Sequence, residues 1–185
     1  MKMKMALTTL AAIVLVIPAF AADSTESIIQ KAQAQAQEQK KNILVKFSAS
    51  WCTWCHRMDD WLKKTEAGQM VANQYIIVTL IVDEAEDKKA LENPGANDFK
   101  SKLGGNQQGI PFFAIIDPAG KTLQTSLRPS DDPTKKPSNI GFPVEDFEIA
   151  HFMKMVKTTS KLTIPELAKA EISLKENAKK IKGGS

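Results

Sequence analysis

Leu44-Val45-Lys46-Phe47-Ser48-Ala49-Ser50-Trp51-Cys52-Thr53-Trp54-Cys55 is the stretch that decides how this chain folds. With Ile43 in front, residues 43–47 make a short β-rich run that reads as a buried strand. A brief turn leads to Cys52. Met58, Trp61 and Leu62 follow at helical spacing, which puts Cys52 at the start of a helix. There its sulfur lies near unpaired backbone N–H groups and the positive end of the helix dipole. The expectation is an exposed first sulfur with Cys55 one turn in, behind it. Thiol–disulfide exchange needs such an arrangement, a thiolate that attacks and a nearby thiol that resolves the mixed disulfide.

These are the only two cysteines in 185 residues. A chain stapled by disulfides spaces several pairs along its length. A bridge from Cys52 to Cys55 closes a tiny loop, which the chain-entropy treatment values at only about 2 kcal/mol. The pair is better explained by chemistry than by stability.

Upstream, residues 23–40 read as a helix. Asp23 with Glu26 resembles a capping box, and the Ala/Gln-rich stretch has high helix propensity. Its apolar face is thin (Ile28, Ile29, Ala32, Ala36), as for a helix lying on a surface. At the very start, Lys2 and Lys4 precede an apolar run over residues 6–20, broken by Pro18. That run falls short of the ~20 residues needed to span a bilayer. Ala19 and Ala21 are small residues where a signal peptidase reads. Residues 1–21 are therefore read as a cleaved signal peptide, with an uncleaved anchor as the alternative. Residues 22–185 are read as a single domain, periplasmic or secreted. No cysteine lies near the cut, so lipid attachment is not supported. Removing Lys2 and Lys4 takes the formal charge from +4 to +2. Lys and Glu are mixed along the rest with no dense basic stripe, so nucleic acid is not expected as a partner.

Downstream, residues 75–82 form a near-continuous apolar run, the pattern of a strand covered on both faces. Residues 84–91 look helical and stop before Asn93-Pro94-Gly95. Residues 112–116 are a strand, Asp117-Pro118-Ala119-Gly120 a turn, and residues 123–127 the returning strand of a hairpin. Residues 128–143 are rich in Pro, Asp, Ser and Lys and read as an inserted loop, either functional or mobile. Residues 144–159 are helical. Thr163-Ile164-Pro165-Glu166 opens a C-terminal helix over 163–182. There is no internal repeat. This order implies an α/β fold, a mixed central sheet covered by helices.

The quoted stretch resembles the active-site strand and turn of the thioredoxin superfamily. Gly109-Ile110-Pro111, with the strand and turn after it, resembles the same family's cis-proline segment and hairpin. The resemblance spans roughly residues 28–127, with the 144–159 helix as the closing helix. The helix ending in Lys40-Lys41-Asn42 is more similar to exported members than to the small cytosolic type. The resemblance implies a thioredoxin-like fold with helices on both sheet faces and extra N- and C-terminal helices. It implies Cys52 as nucleophile, Cys55 as resolving thiol and a redox-active disulfide between them. It further implies a cis bond at Pro111, facing the cysteines, and an Ile110 backbone that lines an extended substrate segment. From their positions alone, Trp51 and Trp54 are candidates for a substrate platform, with local packing the alternative for Trp51, and Trp54, between the cysteines, is expected to be the more exposed. No bound cofactor or metal is implied. Partners would be protein or peptide thiols and disulfides. The favoured direction is reduction, fed by a membrane thiol–disulfide electron donor.

The sequence departs from the family in places. Thr53 and Trp54 replace the Gly-Pro of thioredoxin, and Lys46 stands where thioredoxin has a buried Asp. Strand alternation puts Lys46 with Leu44 and Ser48, in a helix-covered layer near the cysteine turn. A buried ammonium needs a partner. The Cys52 thiolate, whose pKa it would lower, is one candidate; the alternative is that Lys46 snorkels to solvent or pairs with a carboxylate. Other readings remain open. Cys52-Thr53-Trp54-Cys55-His56 matches the attachment pattern of c-type haem, with Met58 or Met70 as a second axial ligand. Zinc would need His151 beside Cys52, Cys55 and His56. A redox-inactive binding module would keep the cysteines as a relic.

Overall fold

The computed structural model describes residues 22–184, so the expected signal peptide at 1–21 lies outside the described residues. At its centre is β1 (Asn42–Ser48), buried along nearly its whole length. It pairs in parallel with β2 (Tyr75–Ile81) and antiparallel with β3 (Phe112–Ile116). β4 (Thr122–Thr125) completes a mixed sheet of order β2-β1-β3-β4.

Alternation along β1 sorts its side chains between two cores. Ile43, Val45 and Phe47 join Val78, Leu80, Phe112 and Ala114 on one face. That face is covered by α1 (Thr25–Gln39) and α4 (Ala96–Lys100). The thin apolar stripe of α1 suffices because Ala32 and Ala36 let the helix lie close to the sheet. Its N-cap is Ser24, whose hydroxyl accepts from the Ser27 N–H, and not Asp23, which pairs with Lys31 on the surface.

Leu44 points to the other face, with Phe113 and Ile115. There α2 (Thr53–Lys64), α3 (Glu66–Ala72), α5 (Asp146–Thr159) and α6 (Ile164–Lys182) pack. Trp61 is the anchor. Its ring meets Phe152 edge-on at 5.9 Å, and its indole N–H donates to Ser173 Oγ at 3.1 Å. Gly68 makes the α2–α3 turn possible, since a Cβ there would stand 1.9 Å from the Trp61 carbonyl oxygen. Thr163 and Glu166 close the capping box that opens α6.

Three expectations change. β2 is an edge strand, and on the second face Ile77 and Thr79 stay exposed, so its apolar run is not covered on both sides. The predicted helix at 84–91 is a 3₁₀ turn, Glu86–Leu91, with no buried residue. Without an apolar stripe to bury, a longer helix has no tertiary support. The 128–143 segment is not a plain loop. β5 (Leu127–Arg128) and β6 (Ser138–Asn139) pair antiparallel and pin its ends. Among the described residues no helix is long and apolar enough to cross a membrane.

Candidate active site

β1 runs into the turn at 49–51 and delivers Cys52 to the N-cap of α2. Cys52 and Cys55 form a disulfide, with Cα atoms 5.2 Å apart. Cys52 Sγ accepts from the Cys55 backbone N–H at 3.2 Å. The helix thus aims a first-turn N–H and its positive dipole end at the sulfur that would carry charge when reduced. Cys52 is only 3% exposed and Cys55 is fully enclosed, so the first sulfur is less open than the sequence suggests. Exposure at the site belongs instead to its neighbours, Trp51 at 57% and Trp54 at 42%, so Trp51 and not the expected Trp54 is the more exposed of the two.

The Ile110–Pro111 peptide bond is cis. The Ile110 carbonyl oxygen lies 3.6 Å from Cys52 Sγ, and Ile110 packs against the buried cluster of Ala49, Cys52 and Cys55. A disulfide sulfur has no proton to give, so this contact becomes a hydrogen bond only in a thiol form.

Lys46 is 1% exposed, on the α2 side of β1. Of the outcomes the sequence left open, thiolate, carboxylate or solvent, the structure supplies the carboxylate. Lys46 Nζ donates to Asp59 Oδ1, and Lys63 approaches the same oxygen at 3.8 Å. Burial pushes the Lys46 pKa below its ordinary value, while the bond to Asp59 and its charge oppose that shift. Asp59 lies four residues after Cys55, on the same helix face, which is why it reaches under the turn.

The 49–51 turn is tied to the end of β2. Glu84, 4% exposed, accepts from the Ser50 N–H at 2.6 Å and the Ser50 hydroxyl at 2.7 Å. Trp51 Nε1 donates to the Asp83 carbonyl at 2.8 Å. Asp83 adopts a left-handed backbone, φ 54°, which Asp tolerates better than most residues. The His56 ring lies 2.9 Å from the Ser50 carbonyl oxygen. His151, which zinc would require here, instead meets the Thr125 carbonyl at 3.0 Å. Among the described residues no group of three or more His, Cys, Asp or Glu is placed to hold a metal.

A family described as thioredoxin-like matches residues 25–118, just over half of the chain. The chain belongs to the thioredoxin-like family. Its fold is thioredoxin-like, with Cys52 and Cys55 as its Cys-x-x-Cys pair. Among solved structures it is similar to a disulphide isomerase from Xylella fastidiosa Temecula1, at 23% identity and TM-score 0.46 over 60% of this chain and 80% of that one. It is similar to a DsbH oxidoreductase at 19% identity and TM-score 0.45, over 83% and 96%. The C-terminal domain of Neisseria meningitidis DsbD in the oxidised form shows 15% identity and TM-score 0.41, over 57% and 84%. No curated protein sequence matches significantly.

In this thioredoxin-like setting, sequence reasoning missed Glu84, Asp59 and Asn139. Glu84 had a signal only through the sheet. Parallel pairing of Ser48 with Ile81 sets the 49–51 turn beside residues 82–84. Asn139 had none. It sits in β6 yet donates through Nδ2 to the Gly109 carbonyl at 2.8 Å and the Pro111 carbonyl at 3.0 Å.

Proposed function

We propose that this thioredoxin-like protein is an exported enzyme that reduces protein disulfides through Cys52 and Cys55. Cys52 at the N-cap of α2, with its sulfur on the Cys55 N–H, is the observation that carries the reading. In the reduced protein the Cys52 thiolate attacks a substrate disulfide. One sulfur of the substrate bonds to Cys52, and the other leaves as a thiolate that takes up a proton. The Cys55 thiol, losing its proton, then attacks Cys52. The second substrate thiol is released and the Cys52–Cys55 disulfide forms. Two electrons have passed to the substrate, and a dithiol donor in the membrane returns them. The Ile110 carbonyl lies against the Cys52 sulfur, and the Ile110–Pro111 backbone beside it is offered to the substrate. Trp54 offers an exposed ring beside it.

The basic start and apolar run of residues 1–21 support export by a cleaved signal peptide, which makes residues 22–185 the mature domain, periplasmic or secreted. Attachment of haem to Cys52 and Cys55 is the weaker reading, because His56 is engaged at the Ser50 carbonyl of the same turn.

The experiment is turnover of a protein disulfide by the mature chain with a dithiol reductant. Cys52→Ala should abolish it and Cys55→Ala should accumulate mixed disulfides. Turnover that survives Cys52→Ala defeats the assignment. The reduction potential against glutathione decides direction, since potentials in this fold differ by about 150 mV.

A further inference from the structure

Every polar group of Ser50 is engaged. Glu84 accepts from its N–H and its hydroxyl. The remaining group is its carbonyl, and the His56 ring meets that oxygen at 2.9 Å. A carbonyl oxygen only accepts, so His56 Nε2 carries the proton and donates. His56 reaches back a second time, through its backbone N–H, which donates to the Cys52 carbonyl at 3.1 Å. The turn between these two anchor points is closed by the Cys52 N–H on the Ala49 carbonyl, also at 3.1 Å.

His56 follows Cys55 directly on α2, and Ser50 lies in the turn just ahead of Cys52. The ring bond therefore joins the segment that carries the attacking sulfur to the helix turn that carries the resolving one. The Cys52–Cys55 disulfide joins the same two segments. Two constraints on one geometry favour each other, because each removes conformational freedom that the other would otherwise have to remove. The coupling is reciprocal: what the disulfide does for the ring bond, the ring bond does for the disulfide. The backbone bond from residue 56 belongs to the helix and survives a change of side chain. The ring bond depends on the side chain alone, and since His56 is exposed, burial does not hold the ring in place.

We propose that His56 is a positioning residue for the resolving step. Its Nε2–H holds the Ser50 carbonyl and keeps the turn docked on α2 once the disulfide is open, so that Cys55 stays within reach of the Cys52 sulfur. The proposal rests on the oxidoreductase reading above and adds a residue to its second step. In that step Cys55 loses its proton to solvent and its sulfur bonds to Cys52 Sγ. The substrate sulfur leaves with the electron pair of the broken bond and is protonated from solvent. His56 takes no part in these bond changes; it raises the effective concentration of Cys55 at Cys52. What acts is the donor and not the charge, because the neutral Nε2–H tautomer and the imidazolium both make this bond.

The test compares the mature protein with His56→Ala and His56→Gln. Glutamine offers an amide donor at about the reach of the imidazole Nε2, without a charge. Residue 56 is exposed, so both variants leave the core intact. The reduced protein is mixed with oxidised glutathione, and acid quenching follows the mixed disulfide at Cys52 as it converts to the Cys52–Cys55 disulfide. His56→Ala should resolve about threefold more slowly, the scale of one exposed hydrogen bond. Its equilibrium constant for disulfide formation against glutathione should fall by the same factor, a rise in reduction potential of about 15 mV. His56→Gln should return both values close to wild type. Alkylation of Cys52 in the reduced protein should proceed at one rate in all three. Unchanged resolution and equilibrium in His56→Ala overturn the proposal and leave the oxidoreductase reading standing. So does a His56→Gln that behaves like His56→Ala, which would place the effect in the ring's charge. An equal loss in Cys52 alkylation overturns it too, by placing the effect at the first sulfur. A wild-type protein that forms no Cys52–Cys55 disulfide with oxidised glutathione overturns the oxidoreductase reading itself.

Discussion

Trp51 and Trp54 stand on either side of Cys52 in the chain, and both are exposed, yet their surroundings differ in kind. The Trp51 side is held by polar ties. Its indole N–H reaches the Asp83 carbonyl, Ser50 is gripped twice by the buried Glu84 carboxylate, and the Glu84 N–H in turn bonds to Glu92 Oε1 at 2.7 Å. The Trp54 side borders a groove lined by Ile110, Pro111, Ile140, Phe142 and Val144, where Asn139 Nδ2, Gln108 Oε1 and Glu148 Oε2 bond to backbone. Polar ties fix geometry, because a buried donor or acceptor left unmade costs its full desolvation. Apolar surface open to water is what a partner can cover with gain. One flank of the disulfide is therefore fixed by polar ties, while the other leaves apolar surface open to solvent.

The largest effect should come from cutting the polar flank. Glu84→Ala removes both bonds to Ser50, each charge-assisted, and should cost about 3 kcal/mol of stability in urea unfolding. A loss under about 1 kcal/mol would mean the flank is held elsewhere. Next, Trp51→Phe removes only the indole donor and should cost about 1 kcal/mol. Trp54→Phe, which keeps an aromatic wall, should cost less than Trp51→Phe by the same measurement. Reversal of that order would break the comparison.

Lys46 sharpens it from below. Its ammonium is neutralised by Asp59, and Asp59 keeps Lys63 and solvent if Lys46 is lost. Lys46→Met should therefore raise stability by about 1 kcal/mol, because desolvating the ammonium no longer opposes folding. The pH profile of Cys52 alkylation should overlay that of the wild type. An upward shift of that profile would restore the ammonium–thiolate link.

The smallest effect is with acid. Lys89, by its hydrogen bond, holds the Glu92 carboxyl below its ordinary 4.5. A carboxyl with a lowered pKa stabilises the fold fully above its unfolded value, and the contribution is lost as pH falls through the folded one. Melting followed below pH 4.5 should show Glu92→Gln with a shallower acid limb than the wild type. Parallel limbs would show that Glu92 does not couple this flank to pH.

The sequence by itself determined the strand, the turn and the Cys52-Thr53-Trp54-Cys55 helix start, because each rests on a local pattern. An apolar run, helical spacing after Cys52 and turn residues act within a few positions of one another. The α6 capping box is local in the same way, and it appears where Thr163 and Glu166 place it. The burial of Lys46 was legible from alternation along β1, but its choice of Asp59 needed α2 laid over the strand. Only the tertiary structure decided that β2 is an edge, since an apolar run does not say which strand stands beside it. The same holds for Glu84 and Asn139. Their partners lie 34 and about 30 residues away, and no short-range pattern encodes a bond made across a parallel register or between two loops. Even the enclosure of Cys52 is of this kind. Its place at a helix start is local, but Ile110, whose carbonyl lies against it, comes 58 residues later in the chain, just ahead of the neighbouring strand β3.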